Sequence, residues 1–338
     1  MARGMRGLRG RLEAAVVLLC IVVAGTACHG TNAADDAASS ATPGSQPTPS
    51  PGVVAYDEMT SLSNDVGARV TGTADEARAA DFVKAALESY GYEVVVQPLR
   101  IPLGAGKSGE SANITAVKTG DSPQQIIVGA HYDSVKVGRG AFDNASGVGV
   151  LLEVAQRLEV AKTPYSIRFV AFGAEEIGMR GSKSYVAHMS AQDRANTIAM
   201  VNLDSVAGGD RLYVYSDKGS AGWPRDEVLG FAQSAGIQLA TNPGFNEHYP
   251  AGTTGDWSDH APFRKAGFPY LYFEATNWNI GDKDGYLATR SAGELWHTPN
   301  DTLDFISKEF PGRVEAQLTA VVQLLQQFLT TPVPAAGR

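Results

Sequence analysis

Apolar and polar positions follow two different periods along residues 53–338. Short runs that are almost wholly apolar, such as Gln125–Ala130 and Ile167–Phe172, predict strands that are covered on both faces. Segments with apolar residues three and four apart, such as Val148–Leu158, predict helices with one buried face. Because the two patterns alternate, we expect one α/β domain in which a mostly parallel mixed sheet is sandwiched between helices.

Local signals predict where further elements begin and end. Thr73 and Glu76 form a capping box, which predicts a helix that ends at Gly91. Further strands are predicted at Tyr92–Val96, Ile114–Lys118, Ile198–Asn202, Arg211–Tyr215 and Tyr270–Phe273, and a long last helix at Lys308–Leu329.

The first 52 residues differ in composition from the rest of the chain. A start rich in arginine precedes an apolar run, Ala14–Ala24, that is too short to span a bilayer. This pattern predicts a secretion signal over residues 1–28. Residues 29–52 are mostly Ala, Ser, Thr, Pro and Gly, which predicts a disordered tether, and residues 53–338 then form the folded domain.

The two cysteines bear on export and on metal binding. The segment Ala24–Cys28 resembles a bacterial lipoprotein processing site, so Cys28 is expected to carry a lipid anchor unless the signal is cleaved nearby. The protein is thus expected to be exported, either as a cell-envelope lipoprotein or as a secreted protein. The other cysteine is Cys20, so any metal in the folded domain must be held by His, Asp and Glu.

Charge excludes some partners. With 28 basic and 36 acidic residues the chain has a net charge of −8, which argues against nucleic acid as a partner. Membrane contact is expected only through the anchor at Cys28.

Titratable residues follow several predicted strands. They are His131 and Asp133, Glu175 and Glu176, and Asp204, while Asp143 and His297 lie in loops. The carboxyl ends of parallel strands meet at one edge of a sheet, so these side chains should lie close together. Taken singly, Asp143-Asn144 could simply cap the following helix, and Glu175-Glu176 could be a solvated turn. Together, the four carboxylates at the strand ends would repel one another in a desolvated cleft, and bound cations would compensate; two His with four carboxylates suit two zinc ions.

These motifs also carry a family resemblance, which covers about residues 55–330. The set His131-Tyr-Asp133, Asp143-Asn144, Glu175-Glu176, Asn202-Leu-Asp204 and His297-Thr298 resembles the secreted di-zinc aminopeptidase family, relatives of glutamate carboxypeptidase and the transferrin receptor. The segment Thr254–Phe263 is similar to the alkaline phosphatase isozyme conversion aminopeptidases.

The resemblance implies a di-zinc aminopeptidase-like fold and two Zn²⁺ per chain. His131 and Asp204 would hold one ion, Glu176 and His297 the other, and Asp143 would bridge both with a water between them. Glu175 would be the catalytic general base that takes a proton from this water.

Three more residues are expected around this site. Asp133 would accept a hydrogen bond from His131 and fix its tautomer. Trp296 stands where relatives often have a Tyr that stabilises the oxyanion, so it is either a donor or a pocket wall. His260 would order a loop beside the substrate pocket or contact substrate directly.

The resulting hypothesis is an exported metallo-aminopeptidase acting on peptide or protein N-termini. One alternative is a carboxypeptidase, which would need a carboxylate clamp from Arg139, Arg264 or Arg290. Another is a glutaminyl cyclase, which uses one zinc. A non-enzymatic binding ectodomain on the same fold predicts lost ligands.

Two interpretations of the substrate pocket stay open. The pocket could be acidic and favour a basic N-terminal residue, with candidates Asp256, Glu274, Asp282 and Asp284. It could instead be apolar, with candidates Trp257, Phe263, Tyr272 and Trp278.

Overall fold

A computed structural model describes residues 49–104 and 106–333. The predicted signal, both cysteines and most of the predicted tether lie outside the described residues. Among the residues described, no helix is both long and apolar enough to cross a membrane.

Seven strands form one mixed sheet. They are β1 (Val94–Gly104), β2 (Lys107–Lys118), β3 (Gln125–His131), β4 (Ser166–Phe172), β5 (Thr197–Leu203), β6 (Arg211–Tyr215) and β7 (Tyr270–Thr276). Their order across the sheet is β1-β2-β4-β3-β5-β7-β6. The four central strands β4, β3, β5 and β7 are parallel, whereas β1, β2 and β6 pair antiparallel at the two sides. The predicted single mixed sheet is confirmed, with its parallel part confined to the centre.

Helices cover both faces of this sheet. They are α1 (Val53–Thr60), α2 (Ala74–Ser89), α3 (Ser146–Leu158), α4 (Arg180–His188), α5 (Ala191–Asn196), α6 (Trp223–Ala235), α7 (His260–Lys265), α8 (Leu303–Glu309) and α9 (Arg313–Thr330). Side chains of β3 alternate between the two layers. Ile126 and Val128 join the larger core with α3 and α9, while Ile127 packs with residues of α4 and α7. All seven residues of β3 are buried for this reason.

Three predicted elements differ from the observed ones. Strands β1 and β2 are longer than expected, because they form an antiparallel hairpin in register from Val94 opposite Ala116. The predicted last helix is two helices, α8 and α9. Pro311 and Gly312 separate them, and Gly312 has a φ of 75°, which a continuous helix cannot contain.

Candidate active site

Three neighbouring parallel strands deliver the predicted site residues to one edge. His131 is the last residue of β3, and Asp204 directly follows β5. Glu175 and Glu176 follow β4 in the next turn. Loops before α3 and before α8 bring the remaining two predicted ligands, Asp143 and His297, to the same place.

The predicted ligands form two groups that share one carboxylate. Donor atoms of His131, Asp143 and Asp204 lie within 4.8 Å of one another, and so do those of Asp143, Glu176 and His297. His131 Nε2 is 3.2 Å from Oδ1 of Asp143, while His297 Nε2 is 3.3 Å from its Oδ2. The two oxygens of Asp143 therefore face different groups.

Each group is closed by a second carboxylate. His131 Nε2 lies 3.3 Å from Asp204 Oδ1, and His297 Nε2 lies 2.8 Å from Glu176 Oε2. Ser258 Oγ donates to the other oxygen of Asp204 at 2.7 Å, which fixes the orientation of this carboxylate.

Asp143 is held in the site by its own loop. Asp301 accepts hydrogen bonds from the backbone amides of Phe142 at 2.6 Å and Asp143 at 3.3 Å. The neighbouring Asn144, joined to Asp143 by a cis peptide bond, instead accepts from Gly147 N at 3.0 Å in the first turn of α3. Helix capping thus falls to Asn144, and Asp143 is left to face the site.

Arg69 forms hydrogen bonds to the backbone of the same loop. Its guanidinium is fully buried and donates to the main-chain oxygens of Tyr132 at 2.7 Å, Arg139 at 2.9 Å and Gly140 at 2.8 Å. These bonds join the end of β3 to the segment that precedes Asp143.

Asp133 connects His131 to the turn after β4. One of its oxygens is 3.6 Å from His131 Nδ1, whereas the closer contact of that nitrogen, at 3.2 Å, is the main-chain oxygen of Asp133. The carboxylate accepts from the amides of Glu175 at 3.0 Å and Glu176 at 3.2 Å, so it orients the turn. The bond predicted from His131 to this carboxylate falls instead on the main-chain oxygen of Asp133.

The charges of the site are unbalanced without a further cation. Burial raises the pKa of Glu176 to about 7, and nearby Asp143 adds to this effect. Hydrogen bonds to Asp143 and Glu176 raise the pKa of His297 to about 10. Burial lowers the pKa of His131, but Asp204 and the other carboxylates outweigh burial and raise it well above its usual value. The two imidazoles therefore lie among an excess of carboxylates.

The donor set suits zinc. Two imidazole nitrogens and three carboxylates are the nitrogen and oxygen ligands that this ion accepts in proteins. Oε1 of Glu176 is buried and has no hydrogen-bond partner within the described part of the chain, as expected of an atom placed to bind a cation.

Backbone strain is concentrated around the site. Ala174 (φ 57°), Ser205 (φ 55°) and His297 (φ 58°) are left-handed although none is glycine. Ala174 directly precedes Glu175, Ser205 directly follows Asp204, and His297 is itself a predicted metal ligand. Such conformations persist where surrounding contacts hold them, which is typical of functional sites.

A cavity of about 330 Å³ opens onto these groups. Its walls contain six carboxylates, from Asp143, Glu175, Glu176, Asp204, Glu274 and Asp284. Among the described residues that line it there are two histidines and no lysine or arginine. The Arg139, Arg264 and Arg290 side chains considered for a carboxylate clamp are not among these residues. Arg264 instead pairs with Asp217 and Asp256.

The structure places one of the two further predicted pocket residues in the wall of the cavity and the other behind it. Trp296 lines the cavity, but its indole N–H donates to the main-chain oxygen of Tyr286 at 3.2 Å, so it forms a wall and has no free donor. His260 is fully buried and does not line the cavity. It donates to Gly255 O at 3.0 Å and contacts the ring of Tyr272, a lining residue, at 4.9 Å.

Of the four acids proposed for the substrate pocket, the cavity contains Glu274 and Asp284 but neither Asp256 nor Asp282. Glu274 accepts hydrogen bonds from the hydroxyls of Tyr215 at 2.8 Å and Tyr272 at 3.1 Å. Trp257 and Tyr272 also line the cavity, whereas Phe263 and Trp278 do not. The pocket therefore combines acidic and aromatic walls.

Sequence reasoning missed several residues that hold the site. Asp301 and Arg69 carry no motif by themselves, although Asp301 lies four residues after His297. Ser258 lies in the segment Thr254–Phe263 that carries the family resemblance, but its contact with Asp204 was not predicted. Asn144 accompanies Asp143 both in the family motif and as a possible helix cap, and the structure gives the contact with the first turn of α3 to Asn144.

The comparisons with known proteins agree with this fold and assign the chain to a family. The model of peptidase family M28 matches residues 113–322. The alkaline phosphatase isozyme conversion protein of Escherichia coli K12 is 35% identical over 82% of this chain and 90% of its own length. The aminopeptidase YwaD of Bacillus subtilis is 33% identical over 66% of this chain, which spans 46% of that relative.

Solved structures show the same architecture. A zinc aminopeptidase from Bacillus subtilis superposes with a TM-score of 0.68 at 21% identity, covering 86% of this chain and 98% of its own. A glutaminyl cyclase from Porphyromonas gingivalis gives a TM-score of 0.64 at 25% identity, covering 82% and 97%. The chain belongs to peptidase family M28 and is a hydrolase of that family.

Proposed function

We propose that this chain is an exported zinc-dependent aminopeptidase that hydrolyses the N-terminal bond of peptides and proteins. The observation that carries the proposal is the Asp143 carboxylate, whose two oxygens face two separate donor groups at the floor of an acidic cavity. Membership of a peptidase family supports peptide hydrolysis as the reaction.

Five residues would hold the metal. His131 and Asp204 would bind one zinc, Glu176 and His297 would bind the other, and Asp143 would lie between them. When bound, zinc polarises the scissile carbonyl and makes a water easier to deprotonate.

Glu175 is the residue we assign to proton transfer. It lines the cavity beside the ligand Glu176, and burial raises its pKa well above the usual value. Its carboxylate takes a proton from the attacking water as the oxygen bonds to the carbonyl carbon. The same proton then passes to the amine as the carbon–nitrogen bond breaks.

The charge of the cavity supports an N-terminal substrate. Asp143, Glu176, Asp204 and Glu175 together would balance two zinc ions, which leaves Asp284, and Glu274 in its ionised form, in excess. An α-ammonium group is attracted to such a cavity, whereas the C-terminal carboxylate of a carboxypeptidase substrate is repelled.

The remaining alternatives differ in metal content. The zinc aminopeptidase hypothesis requires two ions per chain, a glutaminyl cyclase requires one, and a binding ectodomain requires none. The complete group of His131, Asp143 and Asp204 favours two ions. Metal analysis of the purified protein distinguishes the three.

Export is supported by the sequence alone. The basic start, the short apolar run Ala14–Ala24 and Cys28 together favour delivery to the cell envelope with a lipid anchor.

Substitution of the proposed base tests the mechanism. Glu175→Gln keeps the size of the side chain but cannot take a proton, so kcat should fall by about 10²–10⁴-fold while zinc content is unchanged. The matched control is Glu309→Gln, at an exposed position on α8, which should leave kcat unchanged. Turnover of aminoacyl-nitroanilides within a few-fold of wild type in Glu175→Gln would show that another residue is the base.

A further inference from the structure

The turn that carries Glu175 is held by side chains from three other parts of the fold. Four consecutive backbone amides, from Gly173 to Glu176, each donate to a side-chain oxygen. Gly173 N donates to Asn113 Oδ1 at 3.3 Å and Ala174 N to Glu76 Oε1 at 3.2 Å, followed by the two bonds to Asp133 described above. Of these acceptors, Asp133 adjoins the ligand His131, whereas Glu76 comes from the distant helix α2.

Glu76 does not complete the capping box that its sequence predicts. Thr73 Oγ1 does accept from Glu76 N, at 3.4 Å, but the Thr73 amide donates to Val70 O at 3.1 Å rather than to the Glu76 carboxylate. The carboxylate instead accepts from Ala174 N and Ser111 Oγ on Oε1 and from Gly72 N on Oε2. It therefore links the start of α2 to the turn after β4.

Only a carboxylate can make both amide contacts. Ala174 N and Gly72 N are donors, and they approach different oxygens of a side chain that is 2% exposed. A glutamine in this place has one acceptor oxygen, so its NH₂ group would face a backbone N–H. A buried donor without an acceptor is costly, and the turn would have to shift.

The turn also needs to be held. Ala174, directly before Glu175, has a φ of 57° and is fully buried. A non-glycine residue in this region is strained and stays there only when its neighbours require it. The bond from Ala174 N to Glu76 is one of the contacts that do so.

We propose that Glu76 is a positioning residue for Glu175: through the Ala174 amide it holds the strained turn in the conformation that aims the base at the reacting atoms. This proposal rests on the role of Glu175 as the base. Glu76 precedes residues 113–322, which the family model matches, so that match assigns it no role.

Kinetics of Glu76→Gln in the full-length, zinc-loaded protein at pH 8 test the proposal. A small displacement of a catalytic group costs about 10- to 100-fold, so kcat should fall by this factor. KM and zinc content should stay within about twofold of wild type. The matched control is Ser111→Ala, which removes a donor to Glu76 but leaves both amide contacts, and it should keep wild-type kcat.

A double-mutant cycle separates positioning from general destabilisation. If Glu76 acts through Glu175, Glu76→Gln should cause no further loss of kcat in a Glu175→Gln background. An equal loss in both backgrounds, or an unchanged kcat in the single variant, would overturn the proposal. Wild-type turnover in Glu175→Gln alone would instead overturn the proposed function.

A second variant covers the case in which Glu76→Gln does not fold. Glu76→Asp keeps both acceptor oxygens but is one methylene shorter, so its carboxylate cannot reach both Ala174 N and Gly72 N. We expect a smaller fall in kcat with the same dependence on Glu175, and an unchanged kcat in Glu76→Asp would also contradict the proposal.

Discussion

At the scale of single residues, neighbours with similar chemistry take different roles because the backbone turns them apart. Asp143 faces two imidazoles while Asn144 caps α3, and Glu176 contacts His297 while Glu175 lines the open cavity. The direction of each carboxylate affects stability, because burying a carboxylate without a partner costs free energy. Residue identity predicted a group of ligands, but the direction of each side chain follows from its loop.

The shared carboxylate gives the first prediction at this scale. Asp143→Ala should lower bound zinc well below two ions per chain and abolish peptidase activity, because both donor groups lose a ligand and the positive charge loses its balance. Metal content by mass spectrometry checks this. Asp304→Ala, at an exposed position on α8, is the control and should keep the wild-type content. Two zinc ions in Asp143→Ala would refute the assignment.

At the scale of elements, the substrate pocket is assembled from segments far apart in sequence. Strand β7 supplies Tyr272 and Glu274, the loop that follows it supplies Asp284, and the segment before α7 supplies Trp257. Asp256, next to Trp257, faces away from the pocket and pairs with Arg264. The cavity wall therefore contains candidates from both sequence interpretations, the acidic and the apolar.

The acidic part of the wall predicts substrate preference. Burial raises the pKa of Glu274 to about 8, and a basic side chain in the pocket would favour its ionised form. A hydrogen bond to a charged group contributes about 1.5–3 kcal/mol, so Glu274→Gln should lower kcat/KM for arginyl-nitroanilide by roughly tenfold or more. The value for leucyl-nitroanilide should change little.

Asp256→Asn is the matched control for this prediction, because it removes a nearby carboxylate that lies outside the cavity. It should leave the ratio of the two kcat/KM values unchanged. A Glu274→Gln enzyme with the wild-type ratio would show that this carboxylate does not select the N-terminal residue.

At the scale of the whole molecule, the chain joins a folded hydrolase to an N-terminal segment of different composition. Helix α1 begins at Val53, and the amides of Gly52 and Ala55 donate to the buried Glu153 at 3.0 Å and 2.8 Å. These hydrogen bonds hold the first described residues of the domain, close to where the predicted tether ends, against α3. The predicted anchor itself, Cys28, lies in the part that the structure leaves undescribed.

Localisation of cysteine variants tests the anchor. If Cys28 carries the lipid, Cys28→Ser should move the protein from the membrane fraction to the soluble fraction, because one thiol is the attachment point. Cys20→Ser, within the predicted signal, is the control and should leave the distribution unchanged. Fractionation with immunodetection measures both, and a membrane-bound Cys28→Ser protein would rule out this anchor.

The sequence by itself determined the class of fold and indicated which titratable side chains meet at one edge of the sheet. Almost wholly apolar runs predict strands covered on both faces, and β3 and β4 lie where such runs predict them. Because the carboxyl ends of parallel strands meet at one edge of the sheet, the sequence predicts that His131, Glu176 and Asp204 lie close together. Because the folded domain contains no cysteine, the sequence also limits the possible metal ligands to His, Asp and Glu.

Only the tertiary structure decided contacts between segments distant in sequence. Glu76 has the local pattern of a capping box, but its carboxylate bonds to Ala174, 98 residues away. Asp301 similarly reaches Phe142 across 159 residues. Local periodicity reports which face of an element is buried, whereas a buried polar group bonds to whichever partner packing brings within reach. That partner depends on how the whole chain is arranged, and this is why the residues that hold the site emerged only from the structure.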